Sequence, residues 1–450
     1  MINYKKLNEE TLSHIEKCEL TGESTVEYID KSIPFNRCIR LQGFNADQLI
    51  REVCRRLKDK GDCKKTERLN IHISNIIANV LTYKNRQNAF YFYFPARKNA
   101  HYVPKPYNPI RITYNPFINS INGLTNIGFL KRVQGFFERG RGKGKRSRAG
   151  ATSKFIQLIQ QFNVTFNDVY EEEVEIIQLK NSDKQFIVYK DTSYTKKIRN
   201  NLKKYNALLK KTTIILSQTN QVKEYLNNLK NESPDFARKK YVRIFNNSSF
   251  KEGGRFYNPW WQQIKNKKIK LRKYITINSN QTVELDFNAL HIHLLYHLEG
   301  LNYNKLYSSN HDPYTLEGFE EYRDLVKMII LVSLNMNKKI TSLPYMMAKI
   351  LRDEDFFVKK FKYTKLIQIF SAHHHPIAKY LCSGIGIQLQ NMDSNLSDYV
   401  IKKMTNKKIP VLNIHDSFIV EKQYEENLKD VMTGSIRHFK IKSIPKITTK

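Results

Sequence analysis

The sequence predicts an α+β fold, with short apolar strands and amphipathic helices interleaved in its second half. Three observations carry that expectation. VLNIHDSFIVEK (411–422) reads as two buried strands joined at a tight polar tip, His415 and Asp416. TVELDFNALHIHLLYHLEG (282–300) reads as a strand, VELDF, running into a helix with Leu290, Leu294, Leu295 and Leu298 on one face. EEYRDLVKMIILVSLNMNKK (320–339) reads as a helix with Arg323 and Lys327 one turn apart on a shared face, and Leu325, Ile329 and Val332 turned the other way.

At 450 residues, 40% hydrophobic and 12% aromatic, the chain has material for roughly two to four domains with real cores. Its 76 Lys and Arg against 42 Asp and Glu give a net charge of +34, which calls for a polyanionic partner, nucleic acid first. A membrane is the rival sink for positive charge, but MIILVSL (328–334) is far too short to span one. MINYKKLNEETLSH lacks the apolar core of a signal peptide, so a cytoplasmic protein is expected. The five cysteines (18, 38, 54, 63 and 382) are odd in number and form no CxxC, which suits free thiols in a reducing compartment.

Residues 1–110 form an N-terminal part of unassigned role, with helical patterns at 46–60 and 67–83 and an aromatic strand-like run, NAFYFYF, at 88–94. In 111–165, FINSINGLTNIGFLKRVQ (117–134) has apolar residues at helical spacing and leads into GFFERGRGKGKRSRAGATSKF (135–155), a basic hairpin. Helix followed by basic hairpin is the outline of a winged helix. Its wing would offer Arg139, Arg141, Lys143, Lys145, Arg146 and Arg148 to phosphates; the alternative is a solvated basic loop. In 166–245 a lysine-dense section (194–232) reads as a helical pair, either protruding to grip a duplex backbone or lying as polar surface helices. The texture turns apolar near 240, and 246–450 holds both tryptophans and most histidines.

Asp286 closes its strand, where a side chain faces a cleft, and Asp416 sits at a hairpin tip. Two such carboxylates, brought together, would hold hard divalent cations. A pair of ions about 4 Å apart clamps the attacking and leaving oxygens of a phosphoryl transfer. Two cations so fixed, Arg323 and Lys327, can hold a triphosphate, Arg by bidentate contacts and Lys as a point charge; the alternative is an ordinary amphipathic helix with a basic face.

Taken in order, GGRFYNPWWQQIK, ELDFNALHIHLLYHLEG, Arg323 with Lys327, IQLQNMD and NIHDSFIVE resemble the A family of polymerases, bacterial DNA polymerase I and its kin, with the phage and mitochondrial single-subunit RNA polymerases as a sister branch. The resemblance covers roughly 250–425. It implies a right-hand-like fold: a palm with an antiparallel sheet (246–320 and 385–450), small helical fingers (310–385) and thumb-like helices near 194–240. It implies metal binding by Asp286, Asp416 and the Phe287 carbonyl, with two Mg²⁺ ions, or Mn²⁺ in their place. Arg323 and Lys327 would bind the incoming nucleoside triphosphate, with Leu331 and His291 beside it. Arg255, Gln262, Gln388 and His415 would contact primer-template DNA or RNA.

The departures carry meaning too. Ser417 stands where the DNA polymerases have a carboxylate, as in the RNA-polymerase branch. Leu331 and Asn335 replace the usual Phe or Tyr. His291 replaces the Glu that blocks a ribose 2′-hydroxyl, and would either block it by bulk or accept a hydrogen bond from it. No DxE-type exonuclease pattern is recognised in the N-terminal half, so proofreading is not expected. The function this implies is template-directed DNA synthesis from a primer, with an RNA polymerase or primase of the same superfamily as the alternative. A rival of another class is a non-catalytic DNA-binding replication initiator of a plasmid or mobile element. His293 and His297, spaced i, i+4, and His373 to His375 raise a zinc site as a further alternative to packing.

Overall fold

The computed structural model describes residues 32–61, 67–85, 91–138, 143–227, 234, 236–264, 270–308, 311–343, 346–347 and 363–450. The chain divides into two compact units, one holding residues up to Glu175 with Gln185–Val188 and Thr219–Asp235, the other Ile176–Lys184, Tyr189–Gln218 and Phe236–Lys450.

In the first unit, strands β1 (Ser32–Pro34) and β2 (Ile39–Leu41) precede helices α1 (Phe44–Asp59) and α2 (Glu67–Lys84). Helix α1 buries Leu49, Ile50, Val53 and Leu57, the helical spacing that makes it amphipathic. Strand β3 (Tyr91–Phe94) is buried on both faces, and helix α3 (Tyr114–Asn126) packs Phe117 and Ile121 into the same core. The expected helical run to residue 134 stops earlier. Gly128 adopts φ 72 and donates to Thr125 O, while Phe129 N donates to Leu124 O at 2.8 Å, a Schellman end that only a left-handed residue completes. Leu130–Val133 is therefore strand β4, followed by β5 (Phe136–Glu138), β6 (Lys143–Lys145), β7 (Ser147–Ala151), helix α4 (Ser153–Gln161) and β8 (Val169–Glu171).

The basic hairpin is present, as β4 paired with β7 and, beyond them, β5 with β6. Its return strand β7 lies inside a four-stranded sheet, β1-β3-β7-β4. That placement corrects one expectation. Arg148 is buried, donating to Ser32 Oγ at 3.3 Å and Arg146 O at 2.8 Å, so it is not available to phosphates. Arg146 stays exposed, its guanidinium 5.2 Å from the Tyr93 ring centroid, and Lys145 is half-buried. Arg139 and Arg141 lie outside the described residues, as does the Lys143 side chain.

In the second unit, strand β9 (Ile177–Lys180) precedes helix α5 (Ser193–Lys211) and strand β10 (Ile214–Leu216). The helical reading of 194–232 thus breaks at TTIIL, whose β-branched residues form a strand. Nor does α5 protrude: Ile198, Leu202, Tyr205 and Leu209 are buried, and the lysines line its other face. Strands β11 (Val242–Asn246) and β12 (Ser249–Tyr257) form a hairpin, with β9 parallel to β11. Strands β13 (Ile275–Ile277) and β14 (Asn280–Phe287) lead into helix α6 (Leu290–Leu298). Leu290, Leu294 and Leu295 are buried as expected, but Leu298 is exposed. Then come helices α7 (Arg323–Asn335), α8 (Tyr363–His373) and α9 (Gly386–Asn406), the hairpin β15 (Val411–Ile414) and β16 (Ser417–Glu421), helix α10 (Glu425–His438) and strand β17 (Ile447–Thr449). The main sheet is antiparallel throughout, in the order β10-β13-β14-β16-β15, with β17 paired to the last residues of β14. Among the described residues no helix is long and apolar enough to cross a membrane.

Candidate active site

The two acidic residues are brought together by strand register. Asp286 pairs with Ser417 across β14 and β16, so Asp416 is the next residue along, and its carbonyl lies 3.5 Å from the Phe287 amide. The turn joining β15 to β16 is only His415 and Asp416, because Ile414 and Ser417 already pair. A two-residue hairpin commonly needs positive φ at its first position, and His415 supplies φ 59.

Strand β15 is the edge of the sheet, yet its carbonyls are not left bare. Tyr205 Oη donates to Val411 O at 2.6 Å, and Tyr241 Oη donates to Asn413 O at 2.6 Å. Trp261 Nε1 donates to Tyr241 Oη at 2.7 Å, and Gln262 Nε2 reaches both Phe256 O and Asn413 O. The NPWWQQI segment therefore holds the back of the hairpin. Gln262, expected at the nucleic acid, has its amide nitrogen committed to this internal task.

Asp286 is 9% exposed, and burial first and the nearby Asp416 carboxylate second push its carboxyl up to about 6, against the lowering influence of Lys450 and Lys327. Lys450 Nζ forms an ion pair with Asp286 Oδ1 at 2.9 Å. A buried carboxylate beside a second carboxylate is costly unless cations offset the charge. The donor set is hard oxygen, so these residues fit Mg²⁺ or Mn²⁺. Phe287, whose carbonyl the resemblance adds to that set, ends β14 with its ring buried.

Ser417 Oγ donates to Glu284 Oε1 at 2.8 Å, and Arg272 Nη1 lies 3.3 Å from the same oxygen. A carboxylate thus adjoins Ser417 after all, supplied by β14 two residues before Asp286.

On α7, Lys327 is half-buried and its charge reaches Asp286, while Leu331, one turn on, is half-buried too. Arg323 is engaged within the chain: Nε and Nη2 donate to Asp312 Oδ2 at 2.9 and 2.6 Å, and Nη1 donates to Asp324 Oδ1 at 2.8 Å. Tyr314 is buried beneath both cations, with Lys327 Nζ 5.8 Å and the Arg323 guanidinium 6.0 Å from its ring.

A second cluster adjoins the first. The Gly253-Gly254 turn, at φ 69 and 86, opens a bulge between β11 and β12; a Cβ on Gly254 would stand 2.6 Å from the Phe245 ring. The bulge delivers Arg255 to Asp393 on α9, with Nε 3.1 Å from both carboxylate oxygens and Nη2 donating to Oδ2. His291 Nε2 lies 2.9 Å from that same Oδ2. Burial alone would raise the Asp393 carboxyl, but the hydrogen bonds from His291 and Arg255 outweigh it and hold it below its ordinary value. His415 is lowered, first by burial and then by the Arg255 charge, and its buried Nδ1 has no hydrogen-bond partner. Gln388, on the first turn of α9, is exposed.

The structure thus gathers Asp286, Asp416, Lys327, Arg255, His291 and His415 at one end of the sheet. Asp393, Lys450, Asp312 and Glu284 belong there too and were not singled out by motif. Two of the histidines raised as zinc ligands have other partners: His293 Nδ1 lies 2.8 Å from Ser443 Oγ, and His374 sits between Tyr296 Oη and Pro313 O; among the described residues no cluster of metal-ligating side chains gathers around them.

Such a site, a buried carboxylate beside a half-buried one with cations at its flanks, defines a class: it is suited to divalent metal and phosphate. Comparison with known proteins adds little to that. No protein-family profile matches the sequence, and no curated protein does. Among solved structures, the POL domain of Pol1 from M. smegmatis, in complex with DNA primer-template and dNTP, aligns with 97% of this chain and 71% of its own at 10% identity and a TM-score of 0.32. A likeness that loose carries no argument about fold or chemistry.

The raised Asp286 carboxyl has a consequence for stability. Its folded value, about 6, exceeds the ordinary 3.8, so its protonated form is stabilising at low pH and that contribution is lost as pH rises through 6. The gap corresponds to roughly 3 kcal/mol. Metal-free Asp286→Asn is therefore expected to exceed the metal-free parent by about 2 to 3 kcal/mol at pH 8, with the difference vanishing below pH ~4. Urea denaturation across that range checks it; equal stability at pH 8 would refute the strained carboxylate.

Proposed function

We propose that the chain is a template-directed nucleotidyltransferase, a DNA polymerase that extends a primer by two-metal phosphoryl transfer. One observation carries the reading: strand register sets the buried Asp286 carboxylate beside Asp416. A non-catalytic initiator would have no use for so costly a pair. In this reading the antiparallel sheet is the palm, α7 and α8 belong to the fingers, and α5 lies at the thumb position. The basic β5–β6 ribbon serves as a wing on duplex DNA.

Asp286 and Asp416, with the Phe287 carbonyl, would hold Mg²⁺. The bound ions would lower the pKa of the primer 3′-hydroxyl and neutralise charge developing on the α-phosphate. Lys327 is placed to meet a triphosphate beside Asp286, and Arg323 would exchange Asp312 for phosphate oxygens, which suit its fork equally well. Arg255, held flat by Asp393, would contact the primer-template, with His415 near the primer end. His291, fixed by Asp393 at Nε2, keeps Nδ1 for the nucleotide sugar.

Extension of a labelled primer on a DNA template with Mg²⁺, using dNTPs in one arm and NTPs in the other, tests the proposal. Incorporation of dNTPs is expected. Incorporation of NTPs alone would move the chain to the RNA-polymerase alternative, and no incorporation of either would overturn the assignment.

A further inference from the structure

Strand β17 adds a residue to the site that no motif announced. It pairs antiparallel with β14, Ile447 opposite Phe287, Thr448 opposite Asp286 and Thr449 opposite Leu285. Lys450 extends the register by one, its amide donating to Glu284 O at 3.0 Å. Side chains alternate along a strand, so Lys450 shares a face with Thr448 and is the diagonal neighbour of Asp286. Its ammonium spans that diagonal to stand 2.9 Å from Asp286 Oδ1. The two ends of the pair differ in exposure: the Lys450 side chain is 40% exposed and that of Asp286 12%.

We propose that Lys450 is the resident counter-cation of the metal site. It neutralises Asp286 when no divalent ion is bound and swings out when one arrives, so it sets how tightly the site takes metal. An ammonium in contact with a carboxylate oxygen and an ion coordinated by that oxygen exclude each other, since both need the same lone pairs and like charges repel. Lysine suits the exchange. It carries a compact charge on a flexible four-carbon stem, makes no bidentate grip, and is exposed enough to return to water without crossing packed structure.

The inference rests on the reading of Asp286 as a metal ligand, and one experiment separates the two. Binding of Mn²⁺ alone to the metal-free full chain is followed by the electron paramagnetic resonance signal of free Mn²⁺, at one pH and one salt concentration. Lys450→Gln is expected to bind about five- to tenfold tighter than the parent, the ratio for roughly 1 kcal/mol of competing ion pair. Lys450→Arg, which keeps the charge, should stay within about twofold on the same scale. Asp286→Asn should lose the site. Unchanged or weaker binding in Lys450→Gln, with Asp286→Asn still deficient, overturns the role of Lys450 and leaves the metal site standing. Parental Mn²⁺ binding by Asp286→Asn overturns the metal site itself. Thermal melts of each metal-free variant guard against a misfolded β17 edge.

Discussion

Asn at position 416 or at position 286 is expected to lower the single-turnover rate of nucleotide addition by about 10³-fold or more, with primer-template affinity unchanged or slightly tighter. The amide keeps the shape of the carboxylate and one of its oxygens, so hairpin and strand remain as they are. What it removes is the charge that makes the oxygens good ligands for a hard cation. Metal-held alkoxide and phosphate charges are worth several kcal/mol in the transition state, and each 1.4 kcal/mol is about tenfold in rate. The two residues act on the same ions, so the double variant should be scarcely slower than either single one. A second signature separates chemistry from folding. Asp286→Asn should be the more stable protein without metal at pH 8, because it removes an ionised carboxylate from a buried position. Loss of rate with gain of stability is hard to produce by general damage. A rate within about tenfold of the parent for either variant would remove that carboxylate from the metal site.

The parts of this site that could be read in the sequence are those set by short-range pattern. VELDF runs as a strand that carries Asp286 to within one residue of its end, VLNI and SFIVE turn within two residues, and Arg323 and Lys327 fall one turn apart on α7. What could not be read is what those residues meet, because pairing partners lie far away in the chain. Asp393 sits in a polar-looking helical stretch, and only its burial against Arg255 and His291 gives it a task. Lys450 and Asp312 carry no motif, and only the ion pairs they make, with Asp286 and Arg323, draw them into the site. Arg148 was misread for a related reason: a run of basic residues reads as facing water, yet β7 lies inside its sheet and is buried from Ser147 to Gly150, Arg148 included. Gln262 shows the limit of resemblance. The resemblance assigns it to the nucleic acid, but its amide nitrogen binds the chain's own carbonyls.

The largest loss of stability is expected from Asp393→Ala, about 3 to 5 kcal/mol, because breaking a buried ion pair from one side leaves the other charge without a partner. The Asp393 carboxylate has no exposed side-chain surface, and the Arg255 guanidinium opposite it is 18% exposed. Alanine would strip both the doubly bonded guanidinium and the His291 ring of their acceptor and open a void beneath them. Asp393→Asn should cost less, since it keeps an acceptor and loses only charge. Removing both partners, Arg255→Met with Asp393→Leu, should cost less than the sum of the single changes, for no orphaned charge is left. The pH dependence has a definite sign. The Asp393 carboxyl is held below its ordinary value in the fold, so its contribution is present above the unfolded carboxyl's range and is lost as pH falls through the folded value. The gap between parent and Asp393→Ala should therefore be full at neutral pH and close on the acid side. Guanidinium denaturation at pH 7 and at progressively lower pH measures it. A difference under about 1 kcal/mol at pH 7 would mean that Arg255 finds water or another acceptor readily, and that Asp393 does not hold it for the primer-template. Because Arg255 also feels the Asp416 charge, its release should reach the metal site as well, and Asp393→Ala should slow nucleotide addition even under conditions where the variant is fully folded.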